Sequence, residues 1–318
     1  MSDKNFTIPE VHTFDHIIQR AKDKIADDRK PRCALVVPSE GKSLEAFCRA
    51  TDAGLIEPFI VGDEKLARKK ATSAGLDIGS ARFIDINEPD LAVQASLKMA
   101  MTGEIDAFVL GRYSAVELLA LMLDKSGGFV GKGRTLSHLA AIKPSRYKKL
   151  LFLTDAAVNM EPDLKIKLAL IDNAVKVAKI VGVDMPRVAV IAAVEVIYPQ
   201  MPVTMDAAVI SKMADRKQIK GAYVDGPLSF DIAVDMFAAQ SKGITDSKVA
   251  GQADILLAPN IETANGIYKA MSLYGKSQLG GVIYGGKVPA VVSSYSDSVE
   301  TRFHSIVLAS LVASSKEG

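Results

Sequence analysis

Residues 149–195 read KLLFLTDAAVNMEPDLKIKLALIDNAVKVAKIVGVDMPRVAVIAAVE. Two short apolar runs, KLLFLTD (149–155) and RVAVIAAVE (187–195), bracket DLKIKLALIDNAVKVAKIVG (163–182), whose apolar residues recur at helical spacing. Apolar strands joined by a helix of that length predict parallel strands with a crossover, buried on both faces.

The same alternation extends in both directions. CALVVPS (33–39), PFIVGD (58–63), ARFIDI (81–86) and DAFVLG (106–111) read as strands before it. GAYVDGP (221–227), DILLAPN (254–260), GGVIYGG (280–286) and PAVVSS (289–294) read as strands after it. Helical patterns include SLEAFCRATDAG (43–54), AVELLALMLDK (115–125) and SFDIAVDMFAAQ (229–240). The expected fold is α/β with a mainly parallel sheet. A chain of 318 residues is long enough for one large or two medium domains. SGGFVGKGRTLSHLAAIKPSRYK (126–148) is rich in glycine and basic residues and is read as the first crossing between domains.

Composition excludes several classes of function. The chain is 48% hydrophobic and 24% charged, ordinary for a globular protein with a sizeable core. A net charge of +2 gives no basic surface for nucleic acid. Apolar runs are interrupted well short of a membrane span. The polar start MSDKNFTIPE has no signal-peptide core, so a cytoplasmic protein is expected. Cys33 and Cys48 have no metal-ligand spacing and read as free thiols, buried or half-buried, in a reducing cytoplasm. No His, Cys and carboxylate cluster suggests a metal.

Ligands in open α/β sheets bind beyond the carboxyl ends of the strands. Polar residues at those positions are Thr154, Asp155, Asn159, Glu195, Asp225, Asn260, Glu262, Thr263, Asn265, Ser293, Ser294, Ser296 and Asp297. Each alone is more often a cap or turn residue. Together they predict one polar rim around a ligand cleft. The densest member is VVSSYSDSVETR (291–302), where a buried strand runs into hydroxyls and an aspartate. GGFVGKGR (127–134) offers Lys132 and Arg134 to a phosphate, or forms a mobile hairpin. His138 reads as structural rather than as a base. Lys212, Arg216, Lys217 and Lys220 read as a solvated face, with an anionic cofactor as the sharper option.

Long blocks of the chain resemble the phosphate acetyl/butyryltransferase family, most closely its butyryl-type members. The blocks are LLFLTDAAVNMEPDL (150–164), 188–233, ADILLAPNIETANGIYKAM (253–271) and GGVIYGGKVPAVVSSYSDSVETRFHSIVLASLVA (280–313). The resemblance implies two α/β domains of the isocitrate/isopropylmalate-dehydrogenase type with a cleft between them. It implies a discontinuous first domain, 1–140 with 287–318, a second domain, 141–286, and a homodimer. It implies acyl exchange between coenzyme A and inorganic phosphate, both as substrates, with no tightly bound cofactor and no metal. Ser294 and Asp297 would be catalytic, the serine on the reacting oxygen and the aspartate taking the thiol proton. Asn260, Thr263, Asn265, Ser293, Tyr295, Arg112, Lys132 and Arg134 would bind the substrates.

The sequence departs from the family where phosphate should bind. The family loop commonly reads Ser-Arg, and here it is Ser294-Tyr295. The family lysine after the fourth strand falls at Leu110, its Asn-Thr pair at Ser114-Ala115, and a helix arginine at Ala120. A Leu-Arg-Thr-Gly stretch is replaced by FVGKGR (129–134). The alternative expectation is therefore a catalytically impaired paralogue that binds coenzyme A or a similar ligand. A dehydrogenase on the same scaffold ranks last, because no nicotinamide fingerprint is present.

Overall fold

The computed structural model describes residues 12–315. The MSDKNFTIPE stretch lies outside the described residues.

The chain opens with helix α1 (Phe14–Ala26), then alternates β1 (Arg32–Val36), α2 (Gly41–Asp52), β2 (Glu57–Gly62), α3 (Glu64–Ser73), β3 (Arg82–Asp85), α4 (Pro89–Thr102), β4 (Ala107–Leu110) and α5 (Ala115–Leu123). There follow β5 (Ser137–Lys143), β6 (Leu151–Thr154), α6 (Leu164–Val181), β7 (Arg187–Ile191), α7 (Pro202–Asp215) and β8 (Tyr223–Leu228). The chain continues through α8 (Phe230–Val234), α9 (Met236–Ser241), β9 (Ile255–Leu257), α10 (Ile261–Leu273), β10 (Gln278–Tyr284), β11 (Ala290–Val291) and α11 (Val299–Ser314).

The β6–α6–β7 stretch shows why these residues take these shapes. Asp163 caps α6, its Oδ1 accepting the Ile166 amide at 2.8 Å. Gly182 ends the helix at φ +118°, a conformation that favours glycine. Between the caps, Leu170, Ile171, Ala174, Val175, Val177, Ala178 and Val181 are buried, so one broad stripe of the helix packs inward.

Among the described residues, eleven strands form one sheet in the order β3-β2-β1-β4-β11-β10-β5-β6-β9-β7-β8. The first five are mutually parallel, as are the last four. Between them β10 and β5 run antiparallel to each other and to their outer neighbours β11 and β6. The mixed α/β expectation with a mainly parallel sheet holds. The strand β5 is an addition, since SHLAAIK lies inside the stretch that reads in sequence only as glycine-rich and basic. Its alanines give no β-branched signal, and only pairing on both sides makes it a strand.

That extra strand reverses the direction of β6 to β10. Following the pairing, the block β6, β9, β7 and β8 runs opposite to the block β1 to β4 with β11. Residues that leave β6 and β9 therefore exit at the other end of the sheet from those that leave β4 and β11. The single polar rim expected from sequence is thus two rims. Likewise 229–240 forms two short helices, because Asp235 turns to cap α9, accepting the Ala238 amide at 2.9 Å.

The chain after residue 287 comes back to the first block. β11 inserts between β4 and β10. Helix α11 is buried nearly all round, against α1, α2, α6 and β10. No helix among the described residues is long and apolar enough to cross a membrane. Cys33 and Cys48 are free and buried, and burial pushes the Cys48 thiol up to about 11.

Candidate active site

One rim is built where β1, β4 and β11 end side by side. Val37, just past β1, has φ +53°, a strained setting for a β-branched residue. Its carbonyl accepts the amides of Ser39 at 2.9 Å and Arg112 at 3.0 Å. A Cβ on Gly111 would lie 2.1 Å from that carbonyl oxygen, so only glycine lets the two strand ends cross this closely. β11 pairs Ala290 with Phe108 and Val291 with Val109. The chains continue past this register as Ser293-Ser294 on one strand and Gly111-Arg112 on the other.

The loop after β11 is tied down from several sides. The Ser294 amide donates to Asp297 Oδ2 at 2.8 Å, and the Asp297 amide donates to the Ser294 carbonyl at 3.0 Å. Arg302, buried in α11, donates to the same carbonyl at 3.0 Å. It also donates to Ser43 Oγ at 2.8 Å and to Glu40 Oε1 at 3.1 Å, joining the loop to the start of α2. Ser298 Oγ caps α11 by accepting the Thr301 amide at 3.1 Å. The Ser294 hydroxyl accepts from Lys269 Nζ at 3.1 Å and lies 3.1 Å from Ser296 Oγ.

Lys269 comes from α10, which starts at the opposite rim and runs back across the sheet. Asn260 caps that helix, its Oδ1 accepting the Thr263 amide at 3.0 Å. Asn265, Tyr268 and Lys269 then fall on one helical face, three and four residues apart. Asn265 Nδ2 donates to the Ala156 carbonyl at 3.2 Å, near the end of β6. Tyr268 meets the His138 ring edge-on with centroids 6.3 Å apart. Helix α10 thus bridges the two rims.

The electrostatics of this junction come from burial and two carboxylates. Burial pushes the His138 imidazole below its ordinary pKa, against the opposing pull of Asp155 and Asp297. The ring is neutral at neutral pH. Its Nδ1 is buried with no hydrogen-bond partner among the described residues, as is Thr154 Oγ1 on the neighbouring strand. Burial raises the Tyr268 phenol, with Asp297 adding to the shift. Asp155 instead holds its own loop, accepting the amides of Ala157 and Val158 at 2.9 Å each and the Asn159 side chain at 2.6 Å.

A hydroxyl fixed beside an ammonium, over a buried carboxylate, suits a reaction that develops negative oxygen. The family model for phosphate acetyl/butaryl transferase matches residues 90–310. The phosphate butyryltransferase of Clostridium acetobutylicum is 41% identical over 308 residues, covering 96% of this chain and 100% of that one. The chain belongs to the phosphate acetyl/butyryl transferase family. The phosphate acetyltransferase of Thermotoga maritima is 35% identical over 290 residues, 91% of this chain and 98% of that one. Among solved structures, a branched-chain phosphotransacylase from Enterococcus faecalis V583 superposes with a TM-score of 0.76 at 28% identity, over 89% of this chain and 99% of that one.

Within this acyltransferase family member, the residues picked out from sequence fall into three groups. Ser293, Ser294, Tyr295, Asp297 and Arg112 share the β4–β11 rim, with Tyr295 70% exposed and so turned outward. Asn260, Thr263 and Asn265 lie in the first turns of α10, near the end of β6, and the Asn260 side chain is occupied as the cap. Lys132 and Arg134 are exposed. Arg134 lines a separate depression of about 360 Å³ with Lys176, Lys287 and the glycine pair Gly285-Gly286. Glu195 pairs with Lys242 at 3.1 Å, and Asp225 accepts from Ser211 and Ser247, both away from Ser294. Sequence reasoning singles out neither of the two cations at the Ser294 loop, Lys269 and Arg302. The signal for Lys269 is its position four residues after Asn265, on the same helical face.

Proposed function

We propose that this protein exchanges a short-chain acyl group, of acetyl or butyryl type, between coenzyme A and inorganic phosphate. The observation that carries the reading is the Ser294 hydroxyl, held 3.1 Å from Lys269 in a loop whose backbone is fixed by Asp297 and Arg302. Family membership and the names of the relatives support it.

In the direction of acyl-CoA synthesis, the thiol sulfur forms a bond to the carbonyl carbon of the acyl phosphate. The carbon–oxygen bond to phosphate then breaks, and its electron pair leaves with the phosphate. Ser294 donates its hydroxyl hydrogen to the carbonyl oxygen as negative charge develops there. Asp297 spends Oδ2 on the Ser294 amide. Its Oδ1 takes the thiol proton and passes it to the departing phosphate. Arg112, beside Ser293 and Ser294 on the rim, serves a phosphate group of the substrates. Ser293 and Tyr295 line the same rim, Asn260, Thr263 and Asn265 the far side, and Lys132 and Arg134 meet the outer part of coenzyme A.

The chain acts in the cytoplasm as two α/β units, 1–140 with 287–318 and 141–286, meeting along β5 and β10. It works as a homodimer. The support for a dimer is an apolar surface on α7 and the loop before it, where Val196, Ile197, Tyr198, Met205 and Val209 are all exposed.

The reading is tested by thiol release and acyl-phosphate formation from acetyl-, butyryl- and isobutyryl-CoA, with and without phosphate. Wild type is expected to turn over only with phosphate. Ser294→Ala is expected to lose roughly 10²–10³ in rate, the usual cost of one oxyanion donor. Absence of phosphate-dependent turnover with all three substrates overturns it.

A further inference from the structure

The two cations that touch Ser294 are not equivalent. Arg302 is balanced by Glu40 at 3.1 Å, and the donors it uses go to protein acceptors. Lys269 is half-buried, donates to Ser294 Oγ at 3.1 Å, and makes no ion pair among the described residues. An ammonium has three donors, and one is used here. The other two, with a full charge partly withdrawn from water, favour an incoming anion. The loop offers no cation of its own, because Tyr295 follows Ser294 and points outward.

The position is built rather than accidental. Asn260 fixes the start of α10 and Asn265 ties the next turn to Ala156. Tyr268 is 9% exposed and packs on His138, so the turn that carries Lys269 is anchored to β5. Lysine is a point charge on a flexible stem and needs such anchoring to act at a fixed spot.

We propose that Lys269 is a catalytic residue of the transfer, binding a phosphoryl oxygen of the acyl phosphate next to the Ser294 hydroxyl. Its charge offsets the negative charge that builds on the bridging oxygen as the carbon–oxygen bond breaks, until the thiol proton reaches it, or offsets that of free phosphate when the reaction runs backwards. The proposal rests on the transacylase reading for its chemistry, and its anion-binding part can be read without turnover.

The test uses Lys269→Met and Lys269→Arg in the full chain. Lys269→Met is expected to lower kcat/KM for phosphate by roughly 10²–10³, the scale of one lost charge-stabilising donor. Coenzyme A affinity by calorimetry should change by less than about three-fold, since the lost group faces phosphate. Lys269→Arg should recover at least about ten-fold, because it restores charge but not the point geometry. Inorganic phosphate should raise the Tm of wild type and leave that of Lys269→Met unmoved. Unchanged kcat/KM for phosphate in Lys269→Met overturns the proposal. If wild type shows no transacylation, the functional reading fails separately. In that case phosphate protection of wild type alone still supports Lys269 as the anion site, and equal or absent protection in both proteins overturns it.

Discussion

Where helix α10 packs on β5, each side chain does a different job, and titration can separate them. His138 is the clearest case. Unfolded, its imidazole takes a proton near pH 6.5, while burial in the fold resists that proton. Between pH 6.5 and the lower folded value, the unfolded chain binds more protons than the native one. Stability from this residue is therefore complete above about pH 6.5 and falls as pH drops below it. Thermal melts from pH 7.5 to 5 should show a shallower acid-side loss in His138→Gln than in wild type; equal slopes would mean that the ring titrates normally. At this scale the sequence reveals neighbours along the chain, such as the serines and aspartate of 293–298. It hides the neighbours that meet across the fold. Arg302 lies 259 residues from Ser43, and Lys269 lies 25 from Ser294. Neither separation leaves a local pattern.

Helix α10 is the element on which the two rims depend. The sequence points to Asn260 as a binding residue, and its side chain is the helix cap. Asn260→Ala should cost about 1 kcal/mol of stability, as cap losses do, whereas Asn260→Asp should keep most of it. Chemical denaturation measures both. If Asn260 also contacts coenzyme A, Asn260→Asp will raise KM while leaving stability intact; if it only caps, KM will stay put. Ten strands are legible as elements because β-branched runs announce buried strands. β5 is not, since alanines pack there without a β-forming signature. Missing one antiparallel strand inverts the inferred direction of four others. That is why the elements are largely readable while the rim arrangement is not.

The whole molecule shows an apolar surface that a lone chain would leave in water. Val209 is 43% exposed and Met205 40%, one turn apart on α7. With the proposed dimer, light scattering should give about twice the 33.9 kDa chain mass. Val209→Asp should shift that mass toward a single chain by placing a charge in an apolar contact. A single-chain mass for wild type would remove the dimer proposal. The fold class is readable from periodicity alone. Assembly is not, because an exposed valine in a helix looks the same in sequence as a buried one.

The insertion of β11 between β4 and β10 also orders events in time. A nascent chain extended only to residue 286 already contains β4 and β10, but the strand that joins them has not been made. Both then present open hydrogen-bonding edges, and the grooves for α11 stand bare. The Ser294 loop is absent too. Such an intermediate is exposed to edge pairing with other chains. The segment that completes the candidate active site is thus also the one that closes the sheet, so competence for chemistry and protection from aggregation arrive in the same step of synthesis.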